Sequence, residues 1–286
     1  VVIPTLEGFQ LKETIKALQD SSIQPMEILI CMPDSSELLA DIDFSDNVEI
    51  IRTKKKGQVY QRATGFLAAK GDFVLQIDDD VFLKKNTIEK LIEQINGSNE
   101  KIAVAPSYLW INTEISVFES NRESILGKMT DWIMNGKNGY QPGTVSLSGV
   151  GFGLNFNDKT QDKTESEWLP GGCILHHLGN LVTHDYFPFP GKAYSEDLIH
   201  SFLLRENGVK LYVCNKAIAY VEPIFYQDSL VEWYKQYQTT KYVVNIQKKG
   251  FVRVHIYYFL RLINTIKRIT NKAILSSIKN SLEKKN

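Results

Sequence analysis

Short apolar runs alternate with segments of helical apolar spacing over the first 105 residues, and this alternation constrains the fold most. Runs that predict strands cover 1–4, 26–31, 48–51, 72–77 and 101–105. Helical spacing covers 11–18, 58–69 and 87–95. Strands that alternate with helices predict an α/β fold with a mostly parallel open sheet flanked by helices. Such sheets bind ligands beyond the carboxyl ends of their strands.

The pattern is looser in the second half of the chain. Helical spacing returns at 120–134, the Gly-, Asn- and Ser-rich stretch 135–164 predicts loops and short strands, and 209–213 and 217–221 predict strands. Another helix is predicted to begin near Ser195, a plausible N-cap. We therefore expect one α/β domain over residues 1–224, followed by a basic, aromatic-rich helical appendage over residues 225–286.

Charge is distributed unevenly in a chain whose formal net charge is zero. From residue 231 to the end there are 12 Lys and Arg against 2 Asp and Glu, which leaves 21 basic and 31 acidic residues before it. With 43% hydrophobic and 23% charged residues the chain has the composition of a globular protein. The sequence therefore predicts an acidic body with a basic tail.

The three cysteines are Cys31, Cys173 and Cys214, and they show neither a CxxC pair nor histidines at zinc-site spacing. They predict reduced thiols in a cytoplasmic protein. The first residues show no basic segment followed by a long apolar core, so we expect no secretory signal there.

Three consecutive carboxylates, Asp78, Asp79 and Asp80, follow directly on the predicted strand 72–77. They would repel one another unless a cation neutralised them. In an extended backbone Asp78 and Asp80 project to the same side, so we expect both to bind one Mn²⁺ or Mg²⁺ ion while Asp79 points elsewhere. The alternative for an isolated acidic triplet is a solvated turn.

Several motifs together resemble family 2 glycosyltransferases of the GT-A fold. In chain order they are Val1-Val-Ile-Pro-Thr5, Asp34 after the second strand, Arg62 and Gly65, Gly71-Asp72, and Asp78-x-Asp80. The resemblance implies that the Asp-x-Asp motif helps to hold a metal ion that bridges the diphosphate of a sugar nucleotide. Donor-binding residues would be Pro4, Thr5, Glu7, Asp34, Arg62, Asp78 and Asp79. For Asp34 a turn or helix-cap role is an equal alternative.

The second half supplies the residues that the resemblance places at the acceptor. Trp168-Leu-Pro-Gly-Gly-Cys173 resembles the segment that lines the sugar and acceptor pocket, so Trp168, Gly171 and Gly172 are predicted acceptor contacts. Trp168 has the alternative of packing in the core. The family's Glu-Asp pair corresponds to Glu196, predicted to bind the acceptor, and Asp197, predicted to be the catalytic base. Acids in the first turn of a helix have a second explanation as favourable capping.

The activity implied by the resemblance is inverting transfer of a sugar from a nucleotide-diphosphate donor to a saccharide or lipid-linked hydroxyl acceptor, in bacterial surface polysaccharide or glycolipid assembly. Two alternatives stay open, a sugar nucleotidyltransferase and a non-catalytic carbohydrate-binding or scaffold subunit. The five histidines form no metal-ligand pattern, and we expect satisfied structural or surface roles for most of them. Glu222 is a further candidate metal ligand.

The basic tail is rich in Tyr, Phe, Ile and Leu, and its most apolar part, 254–266, is too short to span a bilayer. An in-plane amphipathic helix at the inner face of the cell membrane is one reading. Its cations would be Lys248, Lys249, Arg253, Arg261, Lys267 and Arg268. The other reading is that Trp233, Tyr237, Tyr242 and Phe251 pack on the first domain. No nucleic-acid partner is expected, because the body is acidic.

Overall fold

A computed structural model describes residues 1–6, 10–36, 46–119, 122–154, 161–189, 192–223 and 229–283, with side chains in the last helix described to residue 271. Glu7, a predicted donor contact, lies outside the described residues.

Nine strands and seven α-helices are described. The strands are β1 Val2–Pro4, β2 Ile28–Pro33, β3 Val48–Thr53, β4 Phe73–Ile77, β5 Val81–Leu83, β6 Ile102–Trp110, β7 Lys163–Ser166, β8 Cys173–His177 and β9 Lys210–Val221. The helices are α1 Leu11–Gln19, α2 Gln58–Ala68, α3 Thr87–Asn96, α4 Ile125–Asn135, α5 Glu196–Glu206, α6 Leu230–Ile246 and α7 Phe251–Glu283.

All nine described strands belong to one sheet of order β3-β2-β1-β4-β8-β6-β9-β5, and β7 also pairs with β9. Strands β1 to β4, β6 and β9 run in the same direction, whereas β5, β7 and β8 run against them. The predicted fold class, an α/β fold with a mostly parallel open sheet and flanking helices, is confirmed.

Strand β8 lies antiparallel between β4 and β6. Its first residue, Cys173, pairs with Ile77, the last residue of β4. The segment before β8 therefore meets the segment after β4, and the amide of Asp78 donates to the carbonyl of Gly172 at 2.9 Å. The insertion of β8 brings Gly171 and Gly172, the Gly-Gly segment, next to Asp78, Asp79 and Asp80, the acidic triplet.

Helix α2 packs closely against the sheet at Gly65. A Cβ on this glycine would lie 2.5 Å from both Val2 Cγ1 and Cys31 Sγ, so any larger side chain would push the helix away from β1 and β2. Arg62 precedes Gly65 by three residues and lies on the same side of α2. The close approach therefore fixes how far Arg62 stands from the ends of the strands.

Local differences from the predicted elements have physical causes. The two strands predicted at 209–213 and 217–221 are one strand, β9, and its register with β6 shifts between Pro106 and Ser107. The short strand β5 was not predicted. Ser195 occupies the N-cap position of α5, but it adopts φ 55° and its side chain makes no capping hydrogen bond.

Two compact units divide the chain. One comprises the segments Val1–Ser120, Gln141–Val145 and Gly151–Pro223, and the other comprises Asn121–Tyr140, Ser146–Val150 and Ile224–Asn286. The second unit thus contains α4 as well as the residues after 224. The domain boundary near residue 224 stays a prediction.

The second unit has its own small core. Val244 of α6 and Val254 and Tyr258 of α7 are buried together, with Trp233 and Tyr237 packed against them. Arg253 connects α7 to α4, since its Nη1 donates to the carbonyls of Trp132 at 2.7 Å and Ile133 at 2.9 Å. Among the described helices none is long and apolar enough to cross a membrane.

Candidate active site

Arg62 is the centre of the site. Its side chain is only 3% exposed. Nη1 donates to Glu196 Oε1 at 2.7 Å, and Nη2 donates to Asp78 Oδ1 at 3.1 Å. Burial opposes the charge, but Glu196 and Asp78 outweigh it and raise the pKa of the guanidinium. One buried cation therefore joins the acids after β4 to the acids that open α5.

Asp78 is held from three sides. Besides Arg62, Gln58 Nε2 donates to Asp78 Oδ1 at 2.9 Å, and the Asp78 amide pairs with Gly172. A Cβ on Gly172 would lie 3.5 Å from Asp78 Oδ2 and 3.3 Å from the hydroxyl of Tyr108. Burial, aided by Glu196, raises the pKa of Asp78 against the opposing effect of Arg62.

Asp79 connects the triplet to β1 and α1. The Thr5 hydroxyl donates to Asp79 Oδ2, and Thr14 Oγ1 donates to the Asp79 carbonyl at 2.9 Å. Gln61 Nε2 donates to the carbonyls of Thr5 at 2.6 Å and Cys31 at 2.7 Å. The residues that follow β1 and β4 are thus linked to each other, and Gln61 links Thr5 to β2, at the carboxyl ends of the strands, where ligands of α/β sheets bind.

The backbone of the triplet turns, contrary to the extended conformation on which the shared side of Asp78 and Asp80 was predicted. Asp79 and Asp80 lie in a turn, in which the Val81 amide approaches the Asp78 carbonyl at 3.4 Å. Asp79 does point elsewhere, toward Thr5. The shared metal ion stays a prediction.

Asp80 is the acid of the triplet whose pKa indicates whether a divalent ion could bind there. Burial first, and then Asp78 and Asp79, raise the pKa of Asp80 to about 6, so an additional cation would relieve real repulsion. The described residues contain no group of three or more His, Cys, Asp or Glu that would hold a metal ion. Carboxylates are ligands that Mn²⁺ and Mg²⁺ accept together with the oxygens of a bound phosphate, so Asp78 and Asp80 are the residues that would hold such an ion.

Glu196 is fixed by three neighbours. Besides Arg62, the hydroxyl of Tyr186 donates to Glu196 Oε1. A Cβ on Gly171 would lie 2.7 Å from Glu196 Oε2, so a larger residue here would force this carboxylate to shift. The Gly171 carbonyl accepts from Gln76 Nε2 at 2.6 Å. The Gly-Gly segment and the start of α5 are consequently fitted to each other.

Asp197 is half-buried beside this cluster. Its Oδ1 accepts from the Leu198 amide at 3.0 Å, and a Cβ on Gly171 would lie 3.7 Å from the Asp197 Cβ. Burial first, and then Glu196, raise the pKa of Asp197 to about 7. A carboxylate with a pKa near neutrality is well suited to accept a proton as a general base.

Beneath the cluster lie polar residues that the sequence analysis did not select. Gln76 bonds the Gly171 carbonyl and pairs with His176 Nε2 at 3.2 Å, and the His176 ring stands 5.5 Å from that of His200. Gln76 is the lone polar side chain of β4, an otherwise apolar and buried strand, and this exception could have marked it as a candidate functional residue. Tyr186 lies in a loop without periodicity, so no sequence pattern marked it.

His200 is an exception to the satisfied roles that were expected for most of the histidines. It is buried, and neither of its ring nitrogens has a hydrogen-bond partner among the described residues. Burial first, and then Arg62, lower its pKa to about 3, so the ring is neutral.

The remaining predicted residues have contacts of their own in the fold. Trp168 is 6% exposed and its Nε1 donates to the Phe152 carbonyl at 2.9 Å, so the ring packs in the core. Its contact with an acceptor stays a prediction. Asp34 is in the turn after β2, where its amide donates to Thr53 at 3.0 Å. Pro4 ends β1 and pairs with Cys31, and Glu222 is exposed.

Comparison with known proteins gives a family match over half of the chain. The model of glycosyl transferase family 2 matches residues 1–155. No curated protein matches the chain.

Solved structures of GT-A glycosyltransferases have the same fold. The crystal structure of GalNAc-T7 with UDP, GalNAc and Mn²⁺ is 17% identical with a TM-score of 0.59, covering 85% of this chain and 47% of that one. The structure of S. aureus TarS 1-349 in complex with UDP-GlcNAc is 15% identical with a TM-score of 0.53, covering 85% of this chain and 64% of that one. This chain spans about half the length of the GalNAc-T7 chain.

Proposed function

Because the chain belongs to glycosyl transferase family 2, we propose that it transfers a sugar from a nucleotide-diphosphate donor to a hydroxyl acceptor, with inversion at the anomeric carbon. The observation that carries this proposal is the pair of contacts made by Arg62, to Asp78 on the donor side and to Glu196 on the acceptor side. A transferase needs both sides within one site, because its two substrates must react directly.

The donor is bound at the edge of the sheet where β1, β2 and β4 end. Thr5 and Asp79 are joined there, and we assign Pro4, Asp34 and Asp78 to the same nucleotide site. UDP-sugars are the first donors to test, because two similar structures hold UDP or UDP-GlcNAc.

Asp80, with Asp78, would hold Mn²⁺ or Mg²⁺ in this proposal. When bound, the ion supplies positive charge that offsets the charge of the departing diphosphate. The raised pKa of Asp80 supports this assignment, because the charges of Asp78 and Asp79 contribute to it after burial and a bound cation would offset them.

Asp197 removes the proton of the acceptor hydroxyl as the new bond forms. The acceptor oxygen bonds to the anomeric carbon, the bond from that carbon to the diphosphate oxygen breaks, and the nucleoside diphosphate leaves with both electrons. The proton moves to the Asp197 carboxylate, whose Oδ1 is oriented by the Leu198 amide. Glu196 and Gly171 line the acceptor side in this assignment.

The setting that we propose is assembly of bacterial surface polysaccharide or glycolipid at the cytoplasmic face of the membrane. The excess of Lys and Arg after residue 231 supports it, since membrane-linked acceptors lie beside anionic headgroups.

The test is release of nucleoside diphosphate from a panel of nucleotide sugars, with Mn²⁺ or Mg²⁺ and a panel of saccharide acceptors. We expect release with one donor and its loss in Asp197→Asn, while Glu206→Gln at the other end of α5 retains it. Metal-dependent heat of donor binding without any transfer would instead favour the non-catalytic alternative. Equal release by wild type and Asp197→Asn would refute the assignment of the base.

A further inference from the structure

Helix α7 presents an apolar stripe to solvent. Its residues recur at intervals of four and three and are between 37% and 69% exposed: Val252, Ile256, Phe259, Ile263 and Ile266. The buried Val254, Tyr258 and Thr265 lie on the opposite face of the helix. Helix α7 therefore has one apolar face that packs in the protein and a second that no described residue covers.

Helix α4, in the same compact unit, has a second exposed stripe. Ile125, Met129 and Trp132 recur at intervals of four and three and are 88%, 53% and 58% exposed. The acid of this helix, Asp131, is on the buried side and pairs with Arg122 at 2.5 Å. Apolar side chains on one exposed face of two helices, with no acid among them, indicate a partner that is itself apolar.

The charge beside the stripe of α7 has one sign. From residue 233 to residue 282 the sequence contains ten Lys and Arg and neither Asp nor Glu. Lys248, before α7, and Lys267, beside its stripe, are exposed, and so is Lys128 on α4. The partner is therefore expected to be anionic as well as apolar.

We propose that the exposed stripes of α4 and α7 insert into the headgroup region of an anionic lipid bilayer, with both helices in the membrane plane. From Val252 to Ile266 the stripe of α7 is about 21 Å long at 1.5 Å per residue. Such a face is typical of helices that lie at the interface with cations at headgroup level. This inference goes beyond sugar transfer, because lipid binding needs neither donor nor acceptor.

Charge and apolar character together argue against other partners for these stripes. A second copy of this unit would bring like charges together. Nucleic acid would satisfy the cations but would leave the Ile and Phe side chains in water. An anionic bilayer satisfies both features.

Co-sedimentation of the full chain with vesicles tests the inference. We expect binding to phosphatidylcholine vesicles that contain about 30% phosphatidylglycerol, and binding about tenfold or more weaker to vesicles of phosphatidylcholine alone. Phe259→Ser/Ile263→Ser should weaken binding to the anionic vesicles about tenfold or more.

The matched control is Met26→Ser/Leu67→Ser, which alters two side chains of the other unit that are 71% and 73% exposed. It should bind vesicles like wild type. Because the substituted residues of both variants are exposed, circular dichroism should show wild-type helix content in each.

Trp132 gives a readout that is independent of affinity. Vesicles with brominated acyl chains should quench the fluorescence of wild type, and Trp132→Phe should bind equally well but lose most of the quenching. Absent vesicle binding, equal weakening by the control variant, or quenching that survives Trp132→Phe would each overturn the inference. So would a dimer that Phe259→Ser/Ile263→Ser abolishes in a protein that ignores vesicles. None of these outcomes bears on transfer to a soluble acceptor, which tests the proposed function separately.

Discussion

Arg62 Nη1 donates a hydrogen bond of 2.7 Å to Glu196 Oε1, although the two residues are 134 positions apart in the chain. Both side chains are almost fully buried, and the same guanidinium also contacts Asp78. A buried cation between two acids is costly to desolvate and becomes favourable only while its partners remain. The pair therefore makes the integrity of the site depend on one side chain.

Arg62→Met tests that dependence. The substitution leaves Glu196 buried without its cation, so we expect the free energy of unfolding to fall by about 3–5 kcal/mol. Urea denaturation followed by circular dichroism measures it. Arg52→Met is the control, because Arg52 is exposed and its hydrogen bonds within the described part of the chain go to the carbonyls of Pro33 and Ser36. Its effect should stay within about 1 kcal/mol, and an equal loss in both variants would contradict the central role of Arg62.

The rate of transfer should depend on pH through Asp197. Its pKa is raised to about 7, chiefly by burial, so the carboxylate that accepts the proton becomes populated as the pH rises through that value. We expect kcat to rise about tenfold per pH unit below pH 7 and to level off above it. A pH profile of nucleotide release measures this, and a rate that is flat from pH 5 to pH 8 would contradict it.

The same pKa has an opposite effect on stability. Because the folded-state pKa of Asp197 is above that of an unfolded carboxyl group, its contribution to folding declines as pH rises from about 4 to about 7. Asp197→Asn should therefore gain stability relative to wild type as the pH increases across this range. Thermal unfolding of both proteins at pH 5 and pH 8 measures the difference. A stability gap that does not change with pH would show that Asp197 titrates normally.

Asp80→Asn tests the metal assignment. Loss of a carboxylate ligand should weaken Mn²⁺-dependent binding of UDP by about 100-fold or more, since even outer-shell changes cost 10–100-fold. Isothermal calorimetry with UDP, with and without Mn²⁺, gives the two affinities. Asp72→Asn, before the opposite end of β4, should leave both affinities unchanged. If Asp80→Asn kept the full enhancement by Mn²⁺, the ion would be bound elsewhere.

Gly171→Ala tests the fit between the Gly-Gly segment and Glu196. The added methyl group would lie 2.7 Å from Glu196 Oε2, and that carboxylate is held in place by Arg62 and Tyr186. We expect a loss of about 1–3 kcal/mol in unfolding free energy together with reduced transfer. Gly179→Ala is the control, since a Cβ there has nothing within 4 Å. An unaffected Gly171→Ala protein would show that the segment shifts freely.

Periodicity predicted the first six elements of the fold because each is a local pattern. The position of β8 was not predictable in this way, since a five-residue strand carries no information about which distant strands it separates. Asp78, Asp79 and Asp80 were selected because they follow a strand, and Glu196 and Asp197 because they resemble the Glu-Asp pair of the family. Their connection through Arg62 was not predicted, because a charged residue inside a helix is ordinarily solvated.

Tertiary context also decided the outcome for single residues. Trp168 had two explanations in the sequence, and its burial against Phe152 favours packing. Asp78 and Asp80 would project to the same side only in an extended backbone, whereas a turn begins at Asp78. Short segments at strand ends often turn, and alternation along a strand does not extend into them.

The place of β8 has a consequence for how the protein is made. Neighbouring strands β4 and β6 are synthesised within the first 110 residues, but the strand between them arrives only with Cys173–His177. A nascent chain that has reached residue 155 therefore lacks both sheet partners of β6 and the sheet partner of β5, and one edge of β4 is open as well, a configuration prone to wrong pairing. The sheet is completed only when β8 and then β9 have been made, and Glu196 and Asp197 are made between these two strands, so a truncated product would lack both a complete sheet and the acidic cluster.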